Sequence, residues 1–329
     1  MSRVVVVVGA SSGIGRSVAQ QLAARGDHLV LMARAQGRLT EVTGECERQG
    51  AASAQACPVD VTDAGAVDAA MAAVRSRHGR IDAVVHSAGV VAYGRFDAVP
   101  AAVWDGVLRT NVLGAANVAR SVLPDMRALD HGTLVLVGSL LGEIAVPDMS
   151  AYVVSKWAVR ALGRELQLDN RDRPGVHVSV VSPGGVDTPI YAQAANYVGR
   201  DVRPPPPVYA PDTVAAAVVD AVDRPRKRVA VGVANAVIRL GFTVTPSLYD
   251  VLVGPLFTAL AKGRSPVAAT TGNVLAPLPG LEAVAGGHGF ALWAVTKDLG
   301  VALGRALLGH HDPTGPEPVA PAVTKETQP

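Results

Sequence analysis

The chain has 329 residues, 49% hydrophobic and 18% charged, which supplies a large core and excludes both a disulfide mini-protein and a mainly disordered chain. Lys and Arg number 30 against 28 Asp and Glu, and a net charge of +2 leaves no field to hold a polyanion, so no nucleic-acid partner is expected. Cys46 and Cys57 are too few for a disulfide framework and suit a reducing compartment; with no uninterrupted apolar run of about 18 residues to span a bilayer, a cytoplasmic location is expected.

Val4–Val8 is a continuous β-branched run, as a strand buried on both faces requires. The spacing then predicts a helix over residues 14–25, strands over 28–33 and 54–60, a helix over 64–77, a strand over 83–86, a helix over 102–126, a strand over 133–137, a helix over 150–171 and a strand over 176–181. Alternation of this kind predicts the α/β class: a Rossmann-like, doubly wound parallel sheet of about seven strands with helices on both faces. Beyond a stiff run of prolines at 204–207, Pro211 opens a helix to about residue 223, and 228–231 reads as a last strand. Residues 233–311 read as a helical C-terminal extension, apolar at 234–263 and 290–309, that packs on the rest or lies on a membrane surface. Residues 312–329 hold five prolines and no aromatic side chain and read as a disordered tail.

Between the first strand and its helix stands Val8-Gly9-Ala10-Ser11-Ser12-Gly13-Ile14-Gly15. Small residues at such a turn let the backbone approach a pyrophosphate, while the free N–H groups and positive helix end hold its charge. Residues 1–232 are therefore expected to form a dinucleotide-binding domain. The second strand ends at Ala33 followed by Arg34 and Arg38, with no carboxylate to accept a ribose 2′-hydroxyl. A guanidinium forms forked, charge-assisted bonds to a 2′-phosphate, so NADP (NADPH) is favoured over NAD.

Tyr152 and Lys156 lie four residues apart and share a helix face. A cation about 5 Å away at an effective dielectric near 20 supplies roughly 3 kcal/mol, which would depress a phenol of pKa about 10 by about 2 units and prepare it for proton transfer. Ser139, at the carboxyl end of a predicted strand, is aimed at the same crevice as the glycine turn and the Tyr152 helix.

With these residues in order, the chain resembles the compact single-domain branch of the short-chain dehydrogenase/reductase family over residues 3–232. The resemblance implies that Tyr152 is the general acid/base for a CH-OH/C=O pair, that Ser139 bonds the same oxygen, that Lys156 holds the nicotinamide ribose and lowers the Tyr152 pKa, and that Asn111 binds a proton-relay water. It implies that Gly9, Ser11, Ser12, Gly13, Ile14 and Gly15 cradle the phosphates. Asp60 and Val61 would contact adenine, and Ser87, Ala88 and Gly89 with His86 would line the channel. Pro183, Gly184, Val186 and Thr188 would grip the carboxamide. Two departures stand out: Val8 replaces the family's Thr, and His86-Ser87-Ala88-Gly89 replaces Asn-Asn-Ala-Gly. His86 is expected to be a structural hydrogen-bonding residue. The remaining histidines show no metal-ligand pattern, so no metal is expected.

Pocket walls are expected from Val91, Ala92, Tyr93, Leu140, Leu141, Glu143, Met149 and a lid over 190–209, mostly apolar, which suits a hydrophobic ketone or secondary alcohol. Two other readings compete: a cofactor-binding regulatory protein with little turnover, and a membrane-peripheral lipid- or steroid-handling reductase helped by Arg224, Arg226, Lys227 and Arg228. A homodimer or homotetramer built on the helices at 102–126 and 150–171 is expected from the family resemblance.

Overall fold

The computed structural model describes residues 2–288. Seven parallel strands form one sheet: β1 (Val4–Val8), β2 (His28–Ala33), β3 (Ser53–Pro58), β4 (Ala83–His86), β5 (Gly132–Val137), β6 (Val176–Pro183) and β7 (Arg228–Val231), in the order β7-β6-β5-β4-β1-β2-β3. The order reverses between β1 and β4, which is where an open α/β sheet leaves a crevice beyond its strand carboxyl ends.

The strands are apolar on both sides because helices cover both sides. One core cluster holds Val5, Val7, Leu29, Leu31, Val85 and Val135 with α1 (Gly13–Ala23) and α7 (Pro211–Asp223); the other holds Val4, Val6, Val8, Val30, Leu134 and Leu136 with α3 (Ala64–His78), α5 (Gly114–Leu129) and α6 (Ser150–Asp169). Local chemistry fixes the ends of these helices. Asp63 accepts from the Ala66 N–H ahead of α3, Gly79 closes that helix at φ 79°, and Pro211 occupies the first turn of α7. The buried Asp82 carboxylate accepts from Val4 N at 2.8 Å and pairs with Arg80 at 2.7 Å and His131 at 3.1 Å, tying β1 to the edges of β4 and β5.

Three expectations change. A helix over Gln36–Arg48 (α2) was not among those predicted; its apolar stripe of Leu39, Val42 and Cys46 is narrow and sits in a polar sequence. The single helix expected at 102–126 is α4 (Ala101–Leu108), a π turn at Arg109–Leu113 carrying Asn111, and α5. Among its described residues the C-terminal extension is α-helical through α8 (Ala234–Val244) and α9 (Pro246–Ala261). Lys262–Pro266 then pairs antiparallel with Arg200–Val202, and residues 267–288 run without helix apart from one 3₁₀ turn at Pro279–Leu281.

The extension docks by specific contacts. Phe242 meets Trp157 and Tyr249 edge to face, Tyr249 donates to the Ala145 carbonyl at 2.7 Å, and Trp157 donates to the Ile144 carbonyl at 3.1 Å. Its far side leaves Val233, Val237, Leu240, Val244, Leu248 and Val251 exposed. The neighbouring basic cluster is largely neutralised within the fold: Arg224 and Arg226 pair with Asp220, and Arg228 pairs with Glu143. No helix among the described residues is long and apolar enough to cross a membrane. The apolar run at 290–309 and the tail at 312–329 lie outside the described residues.

Leu31 is wholly buried, and Leu31→Ala is expected to lower unfolding stability by about 2–5 kcal/mol, read as a shift in denaturant midpoint.

Candidate active site

The crevice is built by close approach of backbone. Gly9, at φ 85°, lies against the loop after β4: a Cβ there would stand 2.5 Å from Ala88 N. A Cβ on Gly15 would stand 2.1 Å from Gly9 O and 2.4 Å from Ser87 Oγ. Only glycine lets β1, α1 and the β4 loop converge this tightly. Ser87 fastens the junction, donating to Val8 O at 3.0 Å, so the polar tie does not require the missing Thr at position 8.

A cleft opens here, lined by Gly9, Ser11, Ser12, Gly13, Ile14 and Gly15, by Arg34, by Asp60 and Val61, by Ser87, Ala88 and Gly89, and by Thr188. Thus the sequence-predicted cofactor residues from five separate segments meet at one place. Asp60 braces its own turn by accepting from Thr62 N and Oγ1. Pro183 ends β6, Gly184 donates to Val231 O at 3.0 Å, and Val186 is buried behind Thr188, whose N–H donates to Val186 O at 2.9 Å.

Ser139, Tyr152 and Lys156 come together behind this cleft, the Lys156 ammonium adjoining Gly89 in its lining. Ser139 follows β5, and its hydroxyl hydrogen-bonds the phenol of Tyr152 while accepting from Leu141 N at 3.1 Å. The Lys156 ammonium lies 5.5 Å from the centre of the Tyr152 ring and donates to Val137 O at 3.0 Å. Asn111, held in the π turn, donates to Val90 O and Ser155 Oγ and accepts from Val90 N, all at 2.8–2.9 Å. Its carboxamide braces the loop past Gly89 and the face of α6 that carries Lys156.

Burial decides the protonation states. Tyr152 is pushed up to about 12 by desolvation, with the Ser139 hydrogen bond pulling weakly the other way; Lys156 is brought down to about 8, again by desolvation. Proximity to Lys156 alone led to the opposite expectation, a depressed phenol. The loss of water outweighs that attraction in the free protein, where the ammonium is engaged by Val137 O.

Two further expectations are corrected. His86 is buried at the end of β4, yet neither ring nitrogen has a partner among the described residues; desolvation and the Lys156 charge bring its pKa down to about 3, so the ring is neutral. It is a packed residue and not a hydrogen-bonding one. Glu143 is not a pocket wall: its buried carboxylate pairs with Arg228 and Arg239, clamping β7 and α8 to the loop after Ser139. Val91, Tyr93, Met149 and Leu141 do pack around Tyr152, joined by Ile190 and Tyr191, and α9 adds Phe257 and Ala261. Phe257 and Ala261 were missed, as were Asn273 and Glu282, which line the cleft from a distant part of the chain, alongside Gln193 of the expected lid segment. Nothing local in the sequence marks them. Arg34 lines the cleft and donates to the Asn273 carbonyl, whereas Arg38 is not among the lining residues: its guanidinium pairs with Glu41 and donates to the Pro279 carbonyl. Among the described residues no group of His, Cys, Asp and Glu could hold a metal.

A family model described as short chain dehydrogenase matches residues 3–197. The chain is 36% identical over 191 residues to zebrafish (Danio rerio) dehydrogenase/reductase SDR family member 7B and 36% over 190 residues to human (Homo sapiens) member 7. Those matches cover 56% and 57% of this chain but only 62% and 56% of the two relatives, under two thirds of their length. It is 34% identical over 193 residues to 2-(R)-hydroxypropyl-CoM dehydrogenase of Xanthobacter autotrophicus, covering 58% of this chain and 77% of that one. A metagenomic short-chain oxidoreductase solved in complex with NADP is similar at TM-score 0.60 and 29% identity, covering 70% of this chain and 97% of that one.

Gly9→Ala is expected to force the β4 loop away and lower dinucleotide affinity by about 100-fold or more, read by calorimetry with the fold checked by circular dichroism. Unchanged affinity would separate the glycine turn from nucleotide binding.

Proposed function

The chain belongs to the short chain dehydrogenase family, and from that premise we propose that it is an NADP-dependent oxidoreductase that moves hydride between nicotinamide and a hydrophobic ketone or secondary alcohol. The observation that carries the reading is the Ser139–Tyr152 hydrogen bond next to Lys156, whose ammonium adjoins Gly89 in the lining of the glycine-rich cleft. The cleft fits the cofactor: Gly9, Gly13 and Gly15 line it, and Ser11 and Arg34 stand in the same lining to receive a phosphorylated ribose. Gly13 and Ile14 would face the pyrophosphate, Asp60 and Val61 the adenine, and Thr188 the carboxamide.

When bound, nicotinamide supplies or accepts the hydride. The chain's own residues supply the rest. Tyr152, raised to about 12, keeps its proton at neutral pH and holds it where a carbonyl oxygen gains charge during reduction. Ser139 offers a second hydrogen bond to the same oxygen. Once the phenol gives up its proton, the Lys156 cation at 5.5 Å from the ring stabilises the phenolate by roughly 3 kcal/mol at an effective dielectric near 20. In the oxidising direction the same pair takes the proton back. The apolar surround of Val91, Met149, Ile190 and Phe257 excludes water and sets the preference for a hydrophobic substrate.

Tyr152→Phe is expected to cut kcat by about 10²–10⁴-fold while leaving NADPH binding within about twofold, since only the proton is removed; retained turnover would remove the acid from Tyr152. Arg34→Ala is expected to weaken NADPH by about tenfold or more and NADH far less. Equal losses would overturn the NADP assignment. Lys156 titrates at about 8, charged below and neutral above. The kcat/KM for ketone reduction should therefore fall as pH rises through about 8, and a profile flat to pH 10 would contradict the role given to the ammonium.

A further inference from the structure

Residues 270–288 return from the C-terminal extension and lie across the cleft like a strap. The strap is stitched down by groups from all along the cleft. Asn273 N donates to Gln193 O at 2.8 Å, and Gln193 Nε2 donates to Leu281 O at 3.1 Å. Arg34 donates to Asn273 O at 2.7 Å and Arg38 to Pro279 O at 3.0 Å. Gly13 N, in the phosphate cradle itself, donates to Ala283 O at 2.8 Å. Beyond it, His288 N donates to Asp187 Oδ1 at 3.0 Å.

Glu282 is the charged residue of this strap that lines the cleft. Burial raises the pKa of its carboxyl, against the pull of a hydrogen bond with the Ser11 side chain and of the field of Arg38, Arg34 and Arg16. Its Oε2 is buried with no hydrogen-bond partner among the described residues. A carboxylate bonded to a serine of the glycine turn, in the field of the guanidinium groups that follow β2, occupies a corner suited to an anion.

We propose that Glu282 is a specificity-determining residue: its carboxylate fills the subsite that would otherwise take the 2′-phosphate of an adenine nucleotide, so such a nucleotide binds only by displacing it. The inference rests on the NADP reading for the identity of that phosphate. A nucleotide with a free 2′-hydroxyl brings no second anion to this corner and is not opposed by the carboxylate; the unpartnered Oε2 is an acceptor for that hydroxyl. The strap thus moderates a preference that Arg34 and Arg38 alone would make steep.

The test uses the full chain and two probes that differ only at the ribose 2′ position, adenosine 5′-monophosphate and adenosine 2′,5′-bisphosphate, with dissociation constants from calorimetry. Glu282→Gln keeps the side-chain shape and removes the charge. It should tighten the bisphosphate by about fivefold or more and leave the monophosphate within about twofold. Glu282→Ala should tighten the bisphosphate at least as much. Equal changes in both probes, or no change in either, would overturn the role of Glu282. The Arg34→Ala comparison of NADPH with NADH reads the NADP assignment separately, so the two ideas can fail independently.

Discussion

The site depends on removing water from two ionisable side chains that face one another. Tyr152 and Lys156 each move toward the neutral form, the phenol to about 12 and the ammonium to about 8, because α6 carries them into a corner closed by β5, the loop after β4 and α9. The phenol, kept neutral in the resting protein, holds its proton until charge develops beside it. Ser139 bonds the phenol and Asn111 braces the loop and helix around it, so the geometry is in place before a ligand arrives.

The sheet makes that corner available. Reversal of strand order between β1 and β4 opens a crevice, and Gly9 against Ala88 brings the two loops at its floor into backbone contact. The residues to which the proposed function gives the proton come from the end of β5 and from α6, and those to which it gives the phosphates come from the β1–α1 turn. Neither set alone would distinguish a hydride-transfer site from an ordinary turn or an ordinary helix surface.

Much of this was legible in the sequence because it is local. Five consecutive valines require a strand covered on both faces, the glycine turn must follow such a strand to work, and Tyr152 and Lys156 share a helix face by spacing alone. What was not legible depends on distance along the chain. Glu143 is a mostly apolar loop's acidic residue until Arg228 and Arg239 fold onto it. Asn273 and Glu282 sit in a Pro- and Gly-rich stretch with no periodicity, and only the path of the chain brings them to Arg34 and Ser11. The π turn at Asn111 is a five-residue irregularity inside a helical pattern that sequence period cannot resolve. The sign of the Tyr152 shift followed from the wrong competitor: spacing shows the nearby cation, whereas burial on every side appears only once the fold is known.

Ionisation of the Tyr152 phenol in the free protein tests this balance most directly. Ultraviolet difference titration of the wild-type chain against Tyr152→Phe isolates its phenolate band among the six tyrosines. Desolvation as the dominant effect gives no Tyr152-dependent phenolate between about pH 7 and 10. A phenolate band that rises near pH 8 and is lost in the variant would show that the lysine governs the phenol instead, and would contradict the account.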